Sequence, residues 1–213
     1  MSSPPARPRA LATAERRRRI LHAALELFDA RGFEATTMDD IARAAGVARG
    51  TVFNHFRRKQ SILVAWFAEA AEALARRLPD DGDPLAAIVD FFHDLAVLTE
   101  AHGDRVVPLM FELLDPDVDR SRTAFLALPL NDVLRRLLER ARAEGRVRDD
   151  VSHQRLARVL ANTFVLTALQ WAAYRRDRSL RDELRRALEL AFDGMRAAGG
   201  GAPPPAARST PIG

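Results

Sequence analysis

The segment GFEATTMDDIARAAGVARGTVFNHFRRK, residues 32–59, reads as two short helices and the tight turn between them. Thr37 has the side chain of an N-cap and Asp40 follows three residues later, a variant of the capping box. Met38, Ile41, Ala42 and Ala45 then recur at helical spacing as one apolar face. Gly46 ends that helix, Val47 plugs the turn, and a second helix runs from Ala48 to Phe56. Two helices of this length joined by a glycine turn have the dimensions of a helix-turn-helix unit, whose second helix enters the major groove of DNA.

Val52 and Phe56 lie four residues apart on that second helix and, with Val47, must pack inward on Ile41. Arg49, Gly50, Phe53 and Asn54 are then turned outward, flanked by Thr51 and His55. A cation, an amide, a hydroxyl and an imidazole supply the donors that base edges and phosphates accept. Gly50 costs about 1 kcal/mol relative to alanine inside a helix, and its missing side chain lets the backbone come close to a duplex.

Outward from this segment the periodicity stays helical. A first helix opens at Thr13 and carries Ile20, Leu21, Ala24, Leu25 and Phe28 on one stripe, with Gly32 as its stop. A fourth starts near Lys59 and runs through Trp66, Ala70 and Leu74 to an acidic loop between Pro79 and Pro84. Helices are expected at 84–101, 105–114, 119–144, 152–176 and 180–196, with a kink or restart at Pro129. No β-branched alternation interrupts the pattern, so the fold class is all-α, with about nine helices. The expected division is a head over 13–60 and a helical body over 61–197, between a basic arm (1–12) and a Gly/Pro/Ala tail (198–213) that lack periodicity and should be disordered.

Charge divides the chain the same way. Residues 1–60 hold 12 basic against six acidic groups, and the remaining 153 hold 21 against 23. A cationic head on a nearly neutral body points to a polyanionic partner for the head. Cysteine is absent, which excludes disulfides, thiolate metal sites and cysteine nucleophiles and fits a reducing cytoplasm. The most apolar stretch, 161–174, is 14 residues and includes Asn162, Thr163, Thr167 and Gln170, short of the roughly 18 a membrane helix needs. No membrane partner is expected.

Over residues 16–63 the chain resembles the TetR family of transcriptional regulators, in turn, capping and core positions together. The resemblance implies a homodimeric repressor: a three-helix DNA-binding head, a ligand-binding helical body, and a four-helix dimer interface from the last two helices. It also implies that Lys59, the only lysine, meets a phosphate. Two positions depart from the family pattern. Ala48 stands where serine is frequent, which removes a side-chain cap worth about 1 kcal/mol, and Phe53 replaces a frequent tyrosine and its hydroxyl. The expected DNA contacts are Arg16, Arg17, Thr37, Arg49, Gly50, Thr51, Phe53, Asn54, His55 and Lys59.

For the run Arg16 to Arg19 two readings compete, a solvated helix face and a phosphate or minor-groove contact made together with Arg7 and Arg9. A cationic run near a helix start opposes the macrodipole unless an anion neutralises it, which favours the second.

In the body, Phe91, His93, Met110, Phe111, Phe125, Asn162, Phe164 and Trp171 combine apolar bulk with a few polar tips and are the expected lining of a small-molecule effector pocket. Simple core packing is the competing reading for each aromatic. Asp90 and His93 lie one turn apart, but a lone pair of this kind is a weak metal motif, and neither a metal nor a cofactor is expected. Leu180, Leu184, Leu188, Ala191 and Met195 form one apolar stripe and Leu156, Leu160 and Phe164 another, the expected dimer interface; the alternative is that they only cover the body's own core. Gly-rich phosphate loops, a G-x-S-x-G elbow and an H-E-x-x-H helix are all missing, which disfavours an enzyme. A DNA-binding protein with an effector-blind body is the remaining alternative to a ligand-released repressor.

Overall fold

The computed structural model describes residues 7–174 and 176–195, and within them the chain forms ten α-helices and no strand element. The head comprises α1 (Arg7–Arg31), α2 (Met38–Ala44) and α3 (Arg49–His55). Helix α4 (Lys59–Ala75) leads into the body, made of α5 (Pro84–Ala101), α6 (Gly103–Leu113), α7 (Val118–Ala127), α8 (Leu130–Ala143), α9 (His153–Tyr174) and α10 (Leu180–Met195). The tenth helix arises at Pro129, where the long 119–144 pattern restarts as α8 with the proline at its N-cap position. Helix α1 begins at Arg7, six residues before the expected start at Thr13, so half of the expected arm is helical. Pro8 falls in the first turn, where its missing N–H has no intrahelical partner to lose. Residues 1–6 and the expected tail at 198–213 lie outside the described residues.

The head is built around Ile20, Ala24, Phe28, Ile41, Val52 and Phe56, all at most 2% exposed, and Ile62 and Leu63 of α4 belong to the same continuous core. Helix α4 packs on α1 of the head and on α5, α6 and α7 of the body. Any change in how α4 lies is therefore felt on both sides. In the body, α8 packs on α9 and α5, while α10 packs on α5 and α9. Phe164 sits at the centre, stacked on Phe92 with ring centroids 5.6 Å apart and tilted against Phe67 at 6.1 Å. Gly103 lets α6 pass close to α9, since a β-carbon there would come 3.1 Å from the Trp171 ring and push that ring back by a few tenths of an ångström.

Two polar clamps tie head to body across α6. At its far end, Arg58 donates to Glu112 and Asp115, carboxylates whose side chains are only 8% and 7% exposed, and Ser61 Oγ donates to Glu112 at 2.7 Å. At its near end, buried Arg105 pairs with Asp29 of α1 and lies over the Trp66 ring at 5.0 Å. Among the described residues the Arg105 Nε finds no hydrogen-bond partner.

The expected dimer stripe is spent inside the monomer. Leu156, Leu160, Leu180, Leu184, Leu188 and Met195 are all buried and Ala191 half-buried, because a helix with one apolar stripe covers its own core first. The opposite sides of α9 and α10 instead leave Val159, Leu166 and Leu190 exposed, at 47%, 52% and 77%. Helix α9 has the length and composition of a membrane span, longer than the 14-residue stretch considered from sequence, and half of its most apolar window is buried in the body.

Candidate nucleic-acid interface

The local sequence builds the head's outer surface in steps. The Thr37 hydroxyl accepts from Asp40 N–H at 3.1 Å, and the Asp40 carboxylate accepts from Thr37 N–H at 3.1 Å, closing the capping box. The Thr37 hydroxyl also donates to Asp40, so this exposed side chain is committed to starting α2. Gly46 takes φ +63°, a left-handed value that glycine adopts without strain. Val47 N–H then reaches back to the Ala42 carbonyl at 3.0 Å and turns the chain into α3. Ala48 caps α3 with no side-chain hydrogen bond, as its methyl group dictates.

On α3, Val52 is fully buried and anchors the helix, while Arg49, Gly50, Phe53 and Asn54 are exposed and Thr51 and His55 half-buried. Gly50 has negative φ, and a β-carbon there would meet nothing within 4 Å. Among the described residues neither backbone strain nor packing demands glycine at this position. Arg49 forms an ion pair with Asp39 of α2 through Nε at 3.1 Å, and its guanidinium lies 5.4 Å from the centre of the Phe53 ring.

Besides Arg49, three of the expected contacts have internal work. Lys59 donates from Nζ to the carbonyls of Phe33 (2.7 Å) and Glu34 (3.2 Å) and sits over the Phe33 ring, stapling the start of α4 to the turn after α1. Arg17 lies 4.4 Å from the centre of the Phe56 ring and donates to the His55 carbonyl at 3.5 Å. Arg16 is exposed. Burial, and then the charges of Arg17 and Arg16, hold the His55 imidazole below its ordinary pKa. The third committed side chain is Thr37, as the cap of α2.

The expected pocket residues do not converge on one cavity. Phe91, Met110, Phe164 and Trp171 are buried in a filled core and Phe125 is half-buried against it. Phe111 is 67% exposed, because α6 packs on α4, α5, α7 and α9 and this residue falls on the strip none of them covers. Asn162 is exposed on the outer side of α9. His93 is exposed as well and, with Phe92, Leu184 and Leu188, lines a groove of about 470 Å³ between α5 and α10. Among the described residues no cluster of three or more His, Asp or Glu side chains is placed to hold a metal ion.

A larger cleft of about 960 Å³ opens between α4 and α7 beneath the head. Val64, Ala65 and Ala68 of α4 and Ala124 and Ala127 of α7 give it an apolar floor, Arg17, His55 and Arg57 line it towards the head, and Glu69, Glu72, Glu112, Asp117 and Asp119 with Arg58 and Arg120 make the rest of its lining polar. Sequence reasoning missed this cleft, since four of the five floor residues are alanines, which carry no chemical signal alone. The i, i+3, i+4 run Ser61, Val64, Ala65, Ala68 was the one available hint.

Comparison with known proteins agrees with this architecture. Residues 20–66 match the model for bacterial regulatory proteins of the tetR family, and residues 63–194 match the C-terminal domain of TetR/AcrR family transcriptional repressors. The structure is similar to that of Thermus thermophilus FadR, a TetR family transcriptional repressor in complex with lauroyl-CoA, at 39% identity and a TM-score of 0.78, covering 89% of this chain and all of that one. A transcriptional repressor of Mycobacterium tuberculosis is 36% identical over 148 residues, 65% of this chain and 72% of its own length. The regulator SrpR of Pseudomonas putida is 46% identical over 69 residues, and the chain spans about a third (32%) of that relative's length. With the helix-turn-helix in its head and the repressor-type domain matched through its body, the chain belongs to the TetR family of bacterial regulatory proteins.

Proposed function

We propose that the protein is a cytoplasmic, homodimeric transcriptional repressor that grips a palindromic operator with α3 and releases it when an amphipathic small molecule occupies the body. The observation that carries this reading is the outer face of α3: Arg49, Gly50, Phe53 and Asn54 lie exposed together on a helix anchored by fully buried Val52. Arg49 and Asn54 have the donors for base edges. The head's excess of basic groups suits the phosphate backbone.

Dimerisation is assigned to the exposed sides of α9 and α10, around Val159, Leu166 and Leu190, in place of the buried leucine stripe. The effector is assigned to the α4–α7 cleft. Its apolar floor suits a flexible acyl or alkyl chain; Arg17 and Arg57 at the head end offer cations to an anionic group, while Glu69, Glu72, Asp117 and Asp119 on the rest of the lining disfavour one there. Lauroyl-CoA, the ligand of the Thermus thermophilus repressor, has this chemistry. Because the cleft has one wall on α4 and one end on the head, a molecule that fills it favours one head position over another.

The test is release. Labelled duplex recovered from a random pool by the full-length protein is titrated with lauroyl-CoA, free laurate and coenzyme A. Release by lauroyl-CoA, abolished by Ala68→Trp in the cleft floor while DNA binding persists, is the expected result. Persistence of the complex at every concentration of a broad panel of acyl compounds would leave an effector-blind DNA-binding protein.

A further inference from the structure

Within the DNA-binding reading, on which this step rests, we infer that Asp39 positions Arg49 as a guanine reader, so that each half-site carries a G·C pair whose recognition depends on that carboxylate. Asp39 lies in the first turn of α2 and Arg49 opens α3, so the turn at Gly46 brings an acid and a cation from two helices together on the exposed face. Their side chains are 52% and 67% exposed, and an ion pair in that setting adds little to folding. No other ion pair among the described residues involves either side chain, whereas the neighbouring Asp40 is committed to the cap, Arg31 and Arg43.

The geometry gives the pair another use. The contact runs through Arg49 Nε at 3.1 Å, and the Phe53 ring lies beneath the guanidinium. With Nε nearest the acid and the ring on one side, the guanidinium is biased rather than locked, and its terminal nitrogens are left for an external pair of acceptors. Guanine offers O6 and N7 as two acceptors side by side in the major groove, the one base edge that takes a planar pair of donors in this way. Asp39 also penalises wrong sequences. Where no guanine engages Arg49 beside it, its carboxylate faces base acceptors and phosphates with nothing further to offset the repulsion.

The experiment uses the full-length protein and the duplex it recovers from a random DNA pool, with 7-deazaguanine, which lacks the N7 acceptor, placed at each guanine of the half-site in turn. At one symmetry-related guanine the wild type should lose about tenfold in affinity, and Arg49→Ala should show no further loss there. Asp39→Asn should lower the ratio of recovered to scrambled duplex affinity by at least about fivefold while raising affinity for scrambled DNA. Arg49→Lys should keep the scrambled affinity and lose the guanine preference. Insensitivity of every guanine to the N7 deletion, or an equal loss on both duplexes in Asp39→Asn at unchanged melting temperature, overturns the assignment alone. A pool that yields no enriched duplex overturns the DNA-binding reading and this assignment with it.

Discussion

Arg58, the residue that caps α4, donates from Nε to the buried carboxylate of Glu112 on α6 at 3.1 Å. Its Nη2 reaches Asp115 at 2.7 Å, so one guanidinium joins the start of α4 to the end of α6 and the turn that follows. Burial opposes the Arg58 charge, and the two carboxylates more than offset it and raise its pKa. Backbone N–H donation from Asp117, ahead of the Arg58 contact, holds the Asp115 carboxyl below the usual carboxylate range.

Replacing Glu112 with alanine should therefore strand Ser61 and half of the Arg58 fork. With Asp115 still present and Arg58 a third exposed, the expected cost is about 1–3 kcal/mol, read as a lower midpoint in urea denaturation at unchanged slope. Glu112→Gln should recover part of it through the Ser61 contact. A midpoint equal to that of the wild type in both variants contradicts the clamp.

Lys59 is expected to act on stability as well as on DNA. Two carbonyl acceptors and the Phe33 ring make Lys59→Ala destabilising by about 1–2 kcal/mol, visible in thermal melts without any duplex present. If Lys59→Ala melts with the wild type and loses only DNA affinity, its ammonium faces phosphate and the staple is wrong.

Acid should weaken the native state from about pH 6.5 downward. Burial, then the Arg105 charge, lowers the pKa of His102 against the opposing pull of Asp29 and Asp104, and His55 is lowered by burial, Arg17 and Arg16. The unfolded chain, with ordinary histidines, then binds more protons than the native state in this range, so stability rises with pH and falls as pH drops below the unfolded value. Melting temperatures at pH 7.5 and 5.5 measure the loss, and His102→Gln, which also keeps a neutral group beside Trp66, should reduce it. An identical drop in wild type and variant removes His102 from the account.

For the dimer, Leu166→Arg combined with Leu190→Arg should give a folded monomer by sedimentation, since both side chains are exposed on the outer face of α9–α10. Leu184→Arg should unfold the body instead, because Leu184 is 2% exposed. A Leu166→Arg, Leu190→Arg protein that sediments as a dimer moves the interface elsewhere.

What the chain discloses before folding follows from where its chemistry is local. Capping at Thr37, the stop at Gly46 and the inward pair Val52 and Phe56 are all set by neighbours within a few residues, so the head was legible almost residue by residue. The proline at 129 announced a restart for the same reason. The body was legible as helices and not as surfaces. Periodicity gives one apolar stripe per helix, and it says nothing of whether the helix spends that stripe on its own core, as Leu184 and Leu188 do, or on a partner. Phe111 and Asn162 lie on strips that no neighbour covers, and which strip of a helix stays uncovered depends on the several helices that pack on it, some of them distant in sequence. The head–body clamps join residues 51 to 76 positions apart and leave no local trace.

Specific operator recognition by α3 is read most directly by equilibrium binding of the selected duplex against its scrambled counterpart in rising salt. The expected duplex is near-palindromic, with half-site centres about 10 base pairs apart or a multiple of that. The expected preference over scrambled DNA is at least about a thousandfold, with a log–log salt slope near −9 if each protomer neutralises about five phosphates. Equal affinity for selected and scrambled duplexes, at any salt concentration where both are measurable, contradicts such recognition.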